Sequence, residues 1–228
     1  MVSDREGTGV VVACGPVAAM ARHDLLSEAE AARAITFPPA RAAEFAAGRA
    51  LLRWTLAHHF GGAAGDWGIG VAPQGGPVLL GLPSTGVSIS HSGGGVAVAV
   101  GAGRAVGVDI QGPVTPTPGL LRRCCSPPQR QEMAALPAGR QAAAMARRWT
   151  VHEACAKATG RGLPRRGEPS PGPLLARSGR WRGYAWHVLP HHGPGSVAVA
   201  FDGPPEGAAV RHLLVDDLDR GPTVLPCP

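Results

Sequence analysis

Residues 87–111, VSISHSGGGVAVAVGAGRAVGVDIQ, constrain the fold more than any other part of this chain. Three apolar runs, at 87–90, 96–100 and 105–110, are separated only by HSGGG and GAGR. Runs of this length rich in Val and Ile, bounded by glycine turns, read as strands. Connections this short cannot hold a helical crossover, so the stretch predicts an antiparallel meander.

Around it the pattern alternates between helix and strand. Residues 10–13 read as a short buried strand. Ser27 and Glu30 have the spacing of a capping box before a helix. From 40 to 60, Phe45, Leu52, Leu56 and Phe60 recur at helical spacing, and Gly61-Gly62 stops the helix. A hairpin is expected from 69–71 and 78–80 across Gln74-Gly75-Gly76-Pro77. Residues 112–118 form a proline-rich connector. A short helix is predicted over 129–136 and a long one over 141–159, ended by Gly160 and Gly162. Residues 180–189 and 196–201 read as two paired strands. The fold class is therefore α+β with mostly antiparallel strands and a long helix in each half. The division falls at residues 1–111 and 112–228, although no residue-level repeat relates the two parts.

The chain has 228 residues, enough to bury a sizeable core. Its formal net charge of +6 favours an anionic partner: nucleic acid, a phosphorylated small molecule or an acidic protein. The arginines come in scattered pairs, such as Arg122-Arg123 and Arg165-Arg166, without the basic and aromatic stripe of a nucleic-acid binder, so no nucleic-acid partner is expected. Five cysteines, an odd number with no C-x-x-C pair, argue against a disulfide framework or zinc site and suggest reduced thiols in the cytoplasm. No secretory signal precedes the fold and no run of 18 apolar residues exists, so no membrane span is expected.

Three features carry chemistry. Lys157 is the single lysine of the chain. It follows Glu153 by four residues, and Glu153 follows Trp149 by four, so the three form one helical stripe. The spacing by itself favours an ordinary surface ion pair. Ser90-His91-Ser92 runs into three glycines, which either close a plain hairpin or offer backbone N–H groups and a ring N–H to an anion. Asp109 and Gln111 lie two apart on one strand and project to one face. Asp109 is the lone acid between Asp66 and Glu132, and an apolar strand makes a lone carboxylate costly to bury without a partner. Asp109 and Glu153 could together hold one Mg²⁺, with Lys157 on a phosphate. Arg49 and Arg53, four apart, can share one helical face.

GRALLR (48–53), VSISHSGG…VGVDIQ (87–111) and RRWTVHEACAKATGRGL (147–163), in this order and spacing, resemble the 4′-phosphopantetheinyl transferases of the surfactin-synthetase-activating type. The resemblance implies two similar α/β half-domains packed as an intramolecular pseudo-dimer, with coenzyme A between them. It implies transfer of the 4′-phosphopantetheine arm of coenzyme A to a serine of an acyl or peptidyl carrier protein, with release of 3′,5′-ADP. By position, Asp109, Gln111 and Glu153 would be the Mg²⁺ ligands, and Glu153 would also deprotonate the acceptor serine. Lys157 would meet the α-phosphate. Arg49 and His91 would contact the 3′-phosphate, with Ser90 nearby and Arg53 also counted towards coenzyme A. A cytoplasmic monomer is expected.

Three positions depart from the family pattern. Gln111 stands where the family has a second acid, His152 where it has a lysine, and Gly76 where it often has a basic residue. They leave a second reading: a member that binds coenzyme A or a carrier domain without efficient transfer.

Overall fold

The computed structural model describes residues 9–160, 171–191, 195–203 and 209–226. Gly162, the Arg165-Arg166 pair and Cys227 lie outside the described residues. In chain order the elements are β1 (Val10–Pro16), α1 (Val17–Met20), α2 (Glu28–Ile35), α3 (Pro39–Phe60), β2 (Ile69–Val71), β3 (Pro77–Leu79), β4 (Gly86–Ser92), β5 (Gly95–Gly101) and β6 (Val106–Gln111). The second part holds α4 (Pro118–Cys124), α5 (Pro127–Ala135), α6 (Ala138–Thr159), β7 (Ser178–Trp181), β8 (Tyr184–Leu189), β9 (Ser196–Asp202), β10 (Val210–Leu214) and β11 (Thr223–Leu225).

The architecture is α+β, with two helix-backed sheets packed face to face. The first sheet runs β11-β10-β1-β5-β4 and the second β6-β9-β8-β7, while β2 and β3 form a separate hairpin. Alternation along the strands explains the layers. In β1, Val11 and Ala13 face α3, joining Ala47, Leu51, Leu52, Val96, Val98 and Val100 in one buried core. Val10, Val12 and Cys14 face the other way, against Val106, Val108, Ile110, Val197, Val199 and Phe201 of the second sheet. Behind that sheet, Val151, Ala154, Cys155 and Ala158 of α6 pack on Trp186, Ala198 and Ala200. Each sheet thus has one 22-residue helix on its outer face.

The meander is half right. β4 and β5 pair as a hairpin across Ser92–Gly95, but β6 pairs with β9 and not with β5. The short turn after β5 turns a corner between sheets, because the apolar side of β6 is buried against β1 and β5 rather than beside them. Strand pairing therefore crosses the expected division at 111/112 in both directions, since β10 and β11 complete the first sheet. Neither of those strands was expected from the sequence. The expected strand at 180–189 is two, β7 and β8, folded over at Arg182 (φ 52°) and Gly183 (φ 87°). α4, capped by Thr117 and started by Pro118, begins where the expected connector at 112–118 ends and was not expected from the sequence.

The helix signals hold. Ser27 and Glu30 form both bonds of a capping box. Gly61, at φ 89°, ends α3, and Gly160, at φ 64°, ends α6 in the left-handed region. Cys14, Cys124, Cys125 and Cys155 are buried free thiols. Among the described residues no helix is long and apolar enough to cross a membrane.

Candidate functional site

The site begins with Glu30. Its carboxylate closes the capping box by accepting from the Ser27 N–H at 2.9 Å. The same buried group faces α3, with Oε1 3.4 Å from Arg49 Nε and Oε2 2.9 Å from Arg53 Nη1. Three buried charges meet there, and each would be costly alone. Arg53 also donates from Nε to the Trp67 carbonyl at 3.1 Å. Arg49 Nη1 is buried and makes no hydrogen bond to a described residue. Burial works against the charge of Arg49, and Glu30 supports it.

One turn earlier on α3, Arg41, Phe45 and Arg49 repeat at intervals of four, so they share a face. Phe37 and Phe45 meet edge to face with ring centroids 5.6 Å apart. The guanidinium carbons of Arg33 and Arg49 lie 5.8 and 5.3 Å from the Phe45 ring centre, and that of Arg41 lies 5.7 Å from that of Phe37. Two aromatic rings thereby hold three like charges together.

His91, near the end of β4, faces this group. Its Nδ1 lies 3.1 Å from Glu44 Oε2, and its Nε2 is hydrogen-bonded by Arg41 Nη1. An arginine can only donate, so Nε2 accepts and the ring carries its proton on Nδ1. Burial, and then the neighbouring Arg41, hold His91 below the ordinary histidine range.

The chemistry-bearing acids come from β6 and α6. Gly107 lets these two elements touch: a Cβ there would stand 2.2 Å from the Ala154 carbonyl oxygen and 2.4 Å from the Ala158 nitrogen. Two residues along β6, Asp109 therefore meets α6 directly. Lys157 Nζ donates to Asp109 Oδ1 at 2.8 Å and to the Val108 carbonyl at 3.0 Å. The Ser90 hydroxyl donates to the same Oδ1 at 2.7 Å. Asp109 Oδ2 is buried and makes no hydrogen bond to a described residue. Burial raises the Asp109 carboxyl above its usual range against the pull of Lys157. Burial and then the nearby Asp109 raise Glu153. The ion pair that the Glu153–Lys157 spacing favoured by itself gives way to another: the lysine reaches across to Asp109 of the neighbouring strand.

A cleft of about 550 Å³ lies among α3, β4 and α6, with Asp109 buried beside it and outside its lining. Arg49, His91, Glu153 and Lys157 all line it, as do Gly75, Gly76 and Pro77 of the β2–β3 turn. The structure adds Arg33, Arg41 and Glu44, which were not among the expected site residues. The interval of four between residues 41, 45 and 49 is the signal that could have found Arg41. The fixed cations Arg33, Arg41, Arg49 and Lys157 outnumber Glu44 and Glu153 in the lining, so the cleft suits an anion. Arg53 and Ser90 do not line it and are almost wholly buried. Gln111 lines a second cleft, of about 710 Å³, with His191 and Asp216. His152 turns away from the site into the interior, where its Nε2 lies 3.2 Å from Arg148 Nη2.

The acids suit a hard cation. Asp109 Oδ2 is a buried carboxylate oxygen with no donor among the described residues, and Asp109 is close enough to Glu153 to raise the cost of ionising it. Among the described residues, no cluster of three or more His, Cys, Asp or Glu side chains is placed to hold a metal.

Residues 105–201 match the model of the 4′-phosphopantetheinyl transferase superfamily. This segment runs from the start of β6 to β9 and carries Asp109, Gln111, Glu153 and Lys157, but not Arg49, Ser90 or His91. It spans less than half of the chain and supports the superfamily for that part. No curated protein matches the chain.

Proposed function

We propose that this protein moves the 4′-phosphopantetheine group of coenzyme A to a serine of an acyl or peptidyl carrier protein, as an enzyme of the surfactin-synthetase-activating type. The carrying observation is the convergence of Arg49, His91, Glu153 and Lys157 from three elements on one cationic cleft beside Asp109. A nucleotide carrying phosphates at both ends suits such a lining. Arg33, Arg41 and Arg49 would take the 3′-phosphate, and Lys157 the pyrophosphate. Phosphoryl transfer asks little more of a protein than positioning and charge neutralisation.

In the reaction, the serine oxygen forms a bond to the phosphorus that bears the pantetheine arm. The bond from that phosphorus to the bridging oxygen of the pyrophosphate breaks, and 3′,5′-ADP leaves. The serine proton passes to Glu153, whose raised proton affinity suits it to the task. Asp109 and Glu153 would hold Mg²⁺, with Gln111 as the neutral third neighbour. That ion, when bound, neutralises charge on the phosphates. Ser90 and Lys157 oppose the effect of burial on Asp109 and hold it in place. An acidic carrier would be drawn to a chain of net charge +6. We assign the active form to a cytoplasmic monomer.

The test is the mass of an apo carrier protein after incubation with coenzyme A and Mg²⁺. A gain of one phosphopantetheine is expected. The second reading, coenzyme A binding without efficient transfer, draws on the neutral Gln111 and on His152, which faces the interior. Tight nucleotide binding with no gain of mass on fatty-acid, polyketide or peptide carriers would favour it.

A further inference from the structure

We propose that Ser90 is a positioning residue for Asp109, aiming its free carboxylate oxygen, rather than a ligand of the nucleotide. The proposal grows from the seam where β4 meets β6. The two strands are neighbours but not backbone partners, since β4 pairs with β5 and β6 with β9. Serine hydroxyls of β4 take the place of the missing ladder. Ser88 Oγ accepts from the Val108 N–H at 3.0 Å, Ser90 Oγ from the Ile110 N–H at 3.3 Å, and Ser92 Oγ from the Gly112 N–H at 3.4 Å. The spacing of two along both strands keeps the rungs in step.

Ser90 differs from its neighbours in what it does with its proton. A hydroxyl has one proton and two acceptor sites. With the Ile110 N–H on its oxygen, Ser90 sends the proton to Asp109 Oδ1 at 2.7 Å. Lys157 supplies the second donor to that same oxygen. Oδ1 is thereby engaged from two elements, and Oδ2 is left buried with no donor among the described residues. Only 7% of Ser90 is exposed, and it does not line the cationic cleft. It holds the carboxylate that a cation would meet. Partners of this outer kind typically change metal affinity by 10–100-fold.

For its use of a metal the inference rests on the proposed reaction. The test measures Mn²⁺ affinity of the full chain in the presence of 3′,5′-ADP, together with 3′,5′-ADP affinity in EDTA. Ser90→Ala is expected to weaken Mn²⁺ about ten-fold and to leave 3′,5′-ADP affinity in EDTA within two-fold. Ser90→Thr, which keeps the hydroxyl, should restore Mn²⁺ binding. Ser92→Ala removes a rung without a carboxylate contact and should leave Mn²⁺ affinity unchanged. Should the alanine variant at 90 not fold, Ser90→Cys keeps the volume with only a weak donor, and the same weakening is expected of it. Unchanged Mn²⁺ affinity in these variants, or a loss confined to 3′,5′-ADP, overturns the positioning role while carrier loading by the wild type leaves the proposed reaction standing. The expected Ser90 dependence in a protein that loads no carrier upholds the positioning role and overturns the reaction. A wild type that binds no Mn²⁺ overturns the positioning role.

Discussion

Lys157 and Asp109 form a 2.8 Å ion pair that joins the outer helix of one sheet to the strand at the seam between both sheets. The lysine side chain is 31% exposed and the aspartate 7%. The pair is therefore neither a surface bridge nor a sealed one. It gives Asp109 a counter-charge while leaving the ammonium within reach of the cleft.

Lys157→Met should lower turnover at saturating coenzyme A by at least ten-fold, about 1.4 kcal/mol of transition-state stabilisation. It should also cost about 2 kcal/mol of stability, because a buried carboxylate loses a charged donor. Carrier loading and chemical denaturation of the same sample check both. Undiminished turnover would return Lys157 to a purely structural role.

Arg49 and Arg53 share Glu30 but differ in exposure to the cleft. Arg49→Ala should weaken coenzyme A binding by about ten-fold more than dephospho-coenzyme A binding, about 1.4 kcal/mol of discrimination. Arg53→Ala should destabilise the fold by about 3 kcal/mol, because Glu30 keeps its buried charge with one partner fewer. It should leave the preference for the 3′-phosphate intact. Calorimetric titration with the two nucleotides separates the roles, and an equal loss of preference in both variants would contradict the assignment.

Gly107 sets the approach of α6 to β6. Any Cβ there meets helix backbone, which cannot swing aside as a side chain can. Gly107→Ala should cost about 3 kcal/mol, the upper end for overpacking. An alanine variant that melts with the wild type would show that the helix shifts freely.

The pH dependence of stability should show His152. Burial, and then Arg148, push it down to about 3 from an ordinary 6.5. In that window the unfolded chain binds a proton that the folded one does not. Stability is therefore fully present above pH 6.5 and is lost as pH falls towards 3, by up to about 1.4 kcal/mol per unit. His152→Gln, which cannot titrate, should flatten the fall in melting temperature between pH 7 and 5. Equal slopes for the two proteins would exclude His152 as the cause.

In the proposed reaction Gln111 would offer a neutral oxygen where a third carboxylate would bind Mg²⁺ more tightly, since that ion sheds water reluctantly. Gln111→Glu should shift the Mg²⁺ requirement for carrier loading to lower concentration, and EDTA should abolish loading by either protein. Full activity of the wild type in EDTA would sink the proposed mechanism.

What is local was legible in the chain. The capping box at Ser27 and Glu30, the glycines that end α3 and α6, and the alternation in β4, β5 and β6 are each written within a few residues, because caps, turns and periodicity are short-range physics. Stripes on one helix were legible too, which is how Glu153 and Lys157 stood out. Partner choice was not legible. Lys157 had Glu153 one turn away and took Asp109 instead, from 48 positions earlier in the chain. β6 had β5 beside it in sequence and took β9. Arg53 matched Arg49 in type and face, yet only one of them reaches the cleft. These outcomes depend on which buried faces fit together: the apolar side of β6 against β1 and β5, and bare Gly107 under α6. Packing between distant segments is a property of the assembled volume, and no window along the chain contains it.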